Sequence, residues 1–195
     1  LPGDTEELLA LPRSHLRLVE PASVEPAEVE PALDPRDVEQ LFRRYAPFVM
    51  RIALRLLGRV GDAEDVVQEV FLDAHRGVGA IRDLGAVRGW LATVAVRKAR
   101  RRLRKRAVLA ALGLEREIDP DALVDARATA DERARVAAVY RVLDRVSPEA
   151  RAAWVLRCVE DEPLEAVAEM LGCSRATAHR RVQEAQRALG EAFDA

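Results

Sequence analysis

Three observations predict an all-α fold. Past about residue 35 the chain is dominated by Ala, Leu, Val and Arg, its apolar residues recur at three- and four-residue spacing, and no stretch alternates β-branched residues as a half-buried strand would. Roughly 160 residues carry this pattern, enough for one ordinary domain or two small ones. The organisation expected is two small helical domains joined by a flexible linker, at 36–108, 109–128 and 129–195.

The first 35 residues read differently. Pro2, Pro12, Pro21, Pro26 and Pro31 each remove a backbone donor and turn the preceding residue away from helix. Asp4, Glu6, Glu7, Glu20, Glu25, Glu28, Glu30 and Asp34 are opposed only by Arg13 and Arg17. Residues 1–35 are therefore expected to form a disordered or extended acidic tail, with a single helical turn possible from Glu6 to Leu11.

The helices then follow in order. Leu41, Tyr45, Phe48, Ile52 and Leu56 place a first helix near Pro35 to Leu57, with Pro47 positioned to kink it and Gly58 to stop it. Asp62 suits the N-cap of a second, from Ala63 to about Arg76, whose inner face is Val66, Val67, Val70 and Phe71. Gly77, Gly79 and Gly85 mark a loop, after which an apolar helix from about Trp90 runs into Arg106. Residues 109–128, interrupted by Gly113, Asp119 and Pro120, read as the linker. Four further helices are expected at about Thr129–Val146, Pro148–Val159, Pro163–Leu171 and Ser174–Ala192. Ser147-Pro148-Glu149 gives the second of these an N-cap, a proline at the first helical position and an early acid.

The charge pattern points to a polyanion. The formal net charge is only -2, yet eight of the ten residues from Arg97 to Arg106 are Lys or Arg, with no acid among them. On a helix Arg97, Arg101 and Arg104 line one face and Lys98, Arg102 and Lys105 the next, while Leu91, Ala95, Ala99 and Leu103 keep an apolar edge. Crowding cations on a packed helix costs self-repulsion, which a polyanion offsets by accepting them and releasing its own counterions. A merely solvated basic face is the alternative.

A second signal rests on different physics. Leu164, Val167, Ala168 and Leu171 give one short helix an inner face, Gly172 turns the chain, and Ser174 caps a second helix with Ala178, Val182, Ala185 and Leu189 inward. Arg175, Thr177, His179, Arg180, Arg181 and Gln183 are left for a major groove, as in a helix-turn-helix; a plain helical hairpin is the alternative. Asp65 and Glu69 form an i,i+4 carboxylate pair suited to a basic partner surface or simply to solvent. A metal suits them less, because His15, His75 and His179 are scattered.

The string Leu41-Phe-Arg-Arg-Tyr-Ala-Pro, the string Asp62-Ala-Glu-Asp-Val-Val-Gln-Glu-Val-Phe71, the pair Trp90-Leu91 and the stretch from Pro163 to Arg181 together resemble the extracytoplasmic-function (ECF) sigma factors. The resemblance spans about 150 of the 195 residues. It implies that Asp62, Glu64, Asp65, Gln68 and Glu69 bind core RNA polymerase at the beta-prime coiled coil, with the beta flap as a further contact. It implies that the first domain opens the minus-ten promoter element, and the basic run read above would set Arg97, Lys98, Arg101 and Arg104 on DNA there. The second would read the minus-thirty-five element through Arg175, Thr177, His179, Arg180 and Arg181. An anti-sigma factor is an expected further partner. The glycine-rich loop from Arg76 to Arg88 stands where the family captures a flipped base.

The departures are also informative. Arg97 and Arg101 replace a common Asn and Asp of the family, and Glu184 stands where an Arg is common. These changes suggest a divergent promoter preference with more backbone attraction than base readout. Two other readings are a sigma-like decoy that sequesters an anti-sigma factor and a stand-alone helix-turn-helix regulator. The first leaves the eight cations without a purpose and the second leaves the Asp62–Phe71 string unexplained.

An enzyme is not expected: the chain shows no nucleophile and base pair, no Walker-type glycine loop and no metal cluster, so no catalytic residue, metal or cofactor is assigned. Cys158 and Cys173 are isolated thiols without metal or redox spacing, expected to be buried or half-buried. No apolar stretch approaches the roughly 20 residues that cross a bilayer, and no signal-peptide pattern opens the chain, so a cytoplasmic protein without membrane insertion is expected.

Overall fold

The computed structural model describes residues 37–77, 84–114 and 118–193. Among them every regular element is helical: α1 Val38–Leu57, α2 Val60–Gly77, α3 Leu84–Ala111, α4 Pro120–Leu123, α5 Ala130–Leu143, α6 Pro148–Trp154, α7 Leu164–Leu171 and α8 Arg175–Phe193. The acidic tail expected over residues 1–35 lies outside the described residues, as does 78–83 of the expected glycine-rich loop.

Helix α1 starts three residues later than Pro35, because the Asp37 carboxylate accepts from the Glu39 and Gln40 amides at 3.0 and 3.1 Å and caps it there. It runs through Pro47 and buries Leu41, Val49, Ile52, Ala53, Leu56 and Leu57. Gly58, at φ 72°, ends it in the left-handed region that favours glycine. The chain re-enters helix at once, with the Ala63 amide bonded to the Arg59 carbonyl at 3.1 Å. Asp62 is therefore not the expected N-cap; it sits in the first turn of α2, 3.4 Å from the Arg59 guanidinium.

Helix α3 also begins earlier than expected. Val87 and Leu91 are both fully buried one turn apart, and this packing carries the helix across Gly85 and Gly89. Its inner edge, Val87, Leu91, Ala95, Ala99 and Leu103, is buried, as are Val66, Val70 and Ala74 of α2, and the helix packs on both α2 and α1. These three helices make one bundle. Helices α5 to α8 make the second around Val139, Leu143, Ala153, Trp154, Val182 and Leu189, with the Thr129/Glu132 capping box at the start of α5.

The connecting stretch carries α4, capped by Asp119, and buries Leu123, Val124 and Ala128. Four residues are too few to show a period, so this helix is invisible to hydrophobic spacing. The expected single helix from Pro148 to Val159 is α only to Trp154 and then widens into a π-turn over Val155–Val159. Cys158 and Cys173 are both half-buried and form no disulfide.

The two bundles touch through α3 against α6 and α7, and through α1 against α4 and the π-turn. Side chains of the second bundle and of α3 finish the end of α1. A helix leaves its last four carbonyls without partners. Here the Tyr140 hydroxyl donates to Arg55 O at 2.6 Å, Arg151 Nε to Leu56 O at 2.8 Å, Arg106 Nη1 to Leu57 O at 2.6 Å, and the Asp119 amide to Gly58 O at 2.8 Å. Each such bond contributes about 0.5–1.5 kcal/mol net, and losing one strands a covered carbonyl.

Candidate nucleic-acid and partner interfaces

The basic run is divided by what its cations meet. Toward α2, Arg102 lies 3.1 Å from Asp65 and 2.5 Å from Glu69, while Lys98 lies 2.7 Å from Asp73 and 3.5 Å from Glu69. Two features that look independent in the sequence, the acidic string and the basic run, thus face each other across the α2–α3 seam. These pairs are part-exposed and each contributes about 0.2–1 kcal/mol.

Toward the second bundle, Arg104 Nε lies 2.8 Å from Glu149 and Arg100 Nη2 3.4 Å from the same carboxylate. Arg100 also donates to the Leu171 carbonyl at the end of α7 at 2.8 Å. Burial alone would raise the Glu149 carboxyl. The Arg104 hydrogen bond, a backbone bond and the charges of Arg104 and Arg100 outweigh it and hold the group below the usual carboxylate range. Arg106 shares Asp144 with Arg151, and burial, then the neighbouring Arg151 charge, lower its pKa.

Three cations remain outside these pairs. Arg97, Arg101 and Lys105 are exposed, stand at i, i+4 and i+8 on α3, and make no ion pair among the described residues. Of the expected DNA-facing set, Arg97 and Arg101 are therefore free, whereas Lys98 is turned to α2 and Arg104 to Glu149. Lys105 completes the stripe. Its helical position makes it recognisable in the sequence, but only the structure separates it from its paired neighbours.

On α2, Glu64, Asp65 and Gln68 are exposed and Asp62 and Glu69 half-buried. The face is accessible, although Asp65 and Glu69 give part of their charge to Arg102. One further acid escapes sequence reading entirely. Glu160, its side chain only 4 % exposed, lies 2.8 Å from Arg55 and 3.3 Å from Arg51, where the π-turn delivers it to α1.

In the C-terminal bundle, α7 ends at Gly172 with φ 63° and α8 starts with the Ser174 hydroxyl accepting from the Thr177 amide at 3.2 Å. The capped turn is the one expected. His179 and Arg180 project into solvent, and exposed Arg175 pairs with Glu165 at 2.8 Å. Thr177 is half-buried, its hydroxyl 2.9 Å from that of Ser174. Arg181 is half-buried as well, with Nη1 covered and without a partner. Arg187, exposed two turns beyond Arg180, extends the same face and was not among the expected residues. Glu184 accepts from the Ser147 hydroxyl at 2.8 Å and so ties α8 to the start of α6.

Among the described residues no group of three or more His, Cys, Asp or Glu is placed to hold a metal ion, and no helix is long and apolar enough to cross a membrane.

Comparison with known proteins places these elements. Residues 41–108 match the family described as Sigma-70 region 2, and residues 137–189 match Sigma-70, region 4. The chain is 35 % identical over 155 residues to the ECF RNA polymerase sigma factor SigM of Mycobacterium tuberculosis, covering 77 % of this chain and 74 % of that protein. It is 31 % identical over 158 residues to the RNA polymerase sigma factor CarQ of Myxococcus xanthus, covering 78 % and 89 %. Its fold matches the sigma factor RpoE of Bartonella quintana, solved in complex with the anti-sigma factor NepR, with a TM-score of 0.61 at 23 % identity over 82 % of this chain and 98 % of that one. With both sigma regions in order along one helical chain, and a relative of this identity over most of its length, the protein belongs to the ECF RNA polymerase sigma factors.

Proposed function

We propose that the protein binds core RNA polymerase and directs it to promoters, with residues 36–108 docking on the enzyme and opening the minus-ten element and residues 129–195 reading the minus-thirty-five element. The unpaired stripe of Arg97, Arg101 and Lys105 carries this reading. Five of the eight cations from Arg97 to Arg106 are ion-paired within the chain, and these three are left on one solvent face. A stripe at that spacing suits a nucleic-acid backbone. The outer face of α2, through Asp62, Glu64, Asp65, Gln68 and Glu69, is the polymerase side, meeting the beta-prime coiled coil, while the second domain meets the beta flap. Arg175, Thr177, His179, Arg180 and Arg181 belong to the minus-thirty-five side. The protein acts without catalysis, in the cytoplasm, and an anti-sigma factor is a fitting regulator, as the RpoE complex illustrates for that protein.

Elements named for positions about 25 base pairs apart lie roughly 85 Å apart on B-form DNA at ~3.4 Å per pair. The two bundles touch in the described arrangement, so reading both elements requires them to part. The reading is tested by run-off transcription with core polymerase on a genomic promoter library, comparing the wild type with Arg97→Ala/Arg101→Ala/Lys105→Ala. Promoter-specific transcripts that fall sharply in the triple variant are the expected result. Equal transcript yields would remove the stripe from promoter handling, and no transcripts from the wild type would remove the function.

A further inference from the structure

A groove of about 310 Å³ opens where the last third of α3 passes the α5–α6 turn. Its floor is apolar, with Leu103, Leu109 and Leu114 among the lining residues, and Leu114 is 63 % exposed. Its rim is cationic: Arg106, Arg141, Arg145 and Arg151 line it against the single carboxylate of Asp144, which is already shared by Arg106 and Arg151. Arg141 and Arg145 make no ion pair among the described residues. Among the described residues the trough is apolar with four guanidinium groups against one carboxylate, which suits an occupant that carries acidic and aliphatic groups side by side.

The chain contains such a segment. Asp4, Glu6 and Glu7 are followed directly by Leu8, Leu9 and Leu11, three acids against three leucines, whereas the rest of the tail spaces its acids among prolines. The tail enters α1 at Val38, and the groove lies at the opposite end, where Arg106 holds the Leu57 carbonyl. Twenty helical residues separate the two ends by about 30 Å. The 25 residues from Pro12 to Arg36 include five prolines and no glycine, the composition of a semi-rigid spacer whose extended limit, at about 3.1 Å per residue, is roughly 75–80 Å and so covers that distance. A tether that can span the two sites makes docking in cis intramolecular and raises its effective concentration.

We propose that Asp4–Leu11 docks in this groove, its acids on Arg141 and Arg145 and its leucines on the floor between α3 and the α5–α6 turn. The segment then bridges the two bundles and stabilises their contact. A second copy of the chain is the competing occupant, because its own tail could fill the same groove in trans.

The test uses the full chain with Cys158→Ser and Cys173→Ser, a nitroxide attached through Thr5→Cys, and amide NMR signals as the readout. Docking predicts loss of the signals of Ala107, Leu109 and Val146, with retention on α8 at Arg187 and Ala188. Arg141→Glu/Arg145→Glu should restore the lost signals. So should Leu8→Asp/Leu9→Asp, which removes the apolar anchor and adds acid, and would strengthen a purely Coulombic association. Broadening spread evenly over the basic surface overturns the proposal, as does broadening that survives either variant. Mixing spin-labelled chain at natural abundance with isotope-labelled chain lacking the nitroxide separates the two occupants: broadening in that mixture assigns the groove to a second copy and overturns docking in cis.

Discussion

Arg151 Nε donates to the Leu56 carbonyl at 2.8 Å, joining residues 95 positions apart in sequence. The side chain is 2 % exposed, pairs with Asp144 and lies with its guanidinium 5.2 Å from the Tyr140 ring centre. A charge so deeply placed is a connector between the bundles. Replacing it by Met keeps much of the aliphatic volume but strands the Leu56 carbonyl and frees Asp144. Arg151→Met should lower stability by about 1–3 kcal/mol, read from the urea midpoint at unchanged helical content. A midpoint equal to that of the wild type would mean that this cap contributes nothing.

Tyr140 gives the contact between the bundles a pH limit. Burial, only partly offset by Arg151 and Arg55, pushes its hydroxyl up to about 12, and that hydroxyl holds the Arg55 carbonyl. The folded value lies above the unfolded value of about 10, so the stabilisation is complete below pH ~10 and is lost as pH rises toward 12. Between those limits the wild type should lose about 1.4 kcal/mol per pH unit more than Tyr140→Phe. Parallel urea curves for the two proteins between pH 9 and 11.5 are the check, and identical slopes would contradict the assignment.

Glu149 holds Arg104, whose side chain is 56 % exposed, as well as the covered Arg100, which also stays bonded to the Leu171 carbonyl. In Glu149→Gln, Arg104 loses its counter-charge and is expected to become available to phosphate. Affinity for non-specific duplex DNA at low salt should rise, and the log–log salt slope should steepen by about 0.9 for one added phosphate contact. Fluorescence anisotropy across a salt series measures both, with Glu165→Gln as the control for removing an acid elsewhere.

The acidic string calls for two different substitutions. Glu64→Lys with Gln68→Lys alters the exposed face alone and should weaken co-purification with core polymerase at an unchanged melting temperature. Asp65→Lys with Glu69→Lys also repels Arg102 and Lys98, and should lower the melting temperature as well as the binding. Retention of full core binding by the first pair would move the docking surface elsewhere.

Local physics made much of this legible in the sequence. The inner faces of α2, α7 and α8, the Gly58 and Gly172 stops and the Ser147 and Ser174 caps all follow from spacing and capping chemistry. Tertiary contacts account for what was not. Gly58 brings the chain back so tightly that Asp62 falls inside α2, and buried Val87 overrides the glycines before Trp90. Lys98 and Arg104 look like their free neighbours Arg97 and Arg101 until α2 and α6 supply acids beside them. The ion pairs of Glu149 and Glu160 carry no local mark, since a paired carboxylate and a solvated one read alike in sequence; Glu149 reads only as the early acid of α6.

Gly58 has one more consequence. A β-carbon there would stand 3.1 Å from Ile118 Cγ2 and 3.2 Å from Tyr140 Cδ1, at a backbone angle few side chains accept. Asn tolerates that angle better than other residues, so Gly58→Asn acts mainly as a steric wedge driven between α1 and α5. It should prise the bundles apart while leaving each one folded, which small-angle scattering would register as a larger radius of gyration at unchanged helical circular dichroism. The bare Cα at this joint thus lets Ile118 and Tyr140 settle directly against the turn that follows α1.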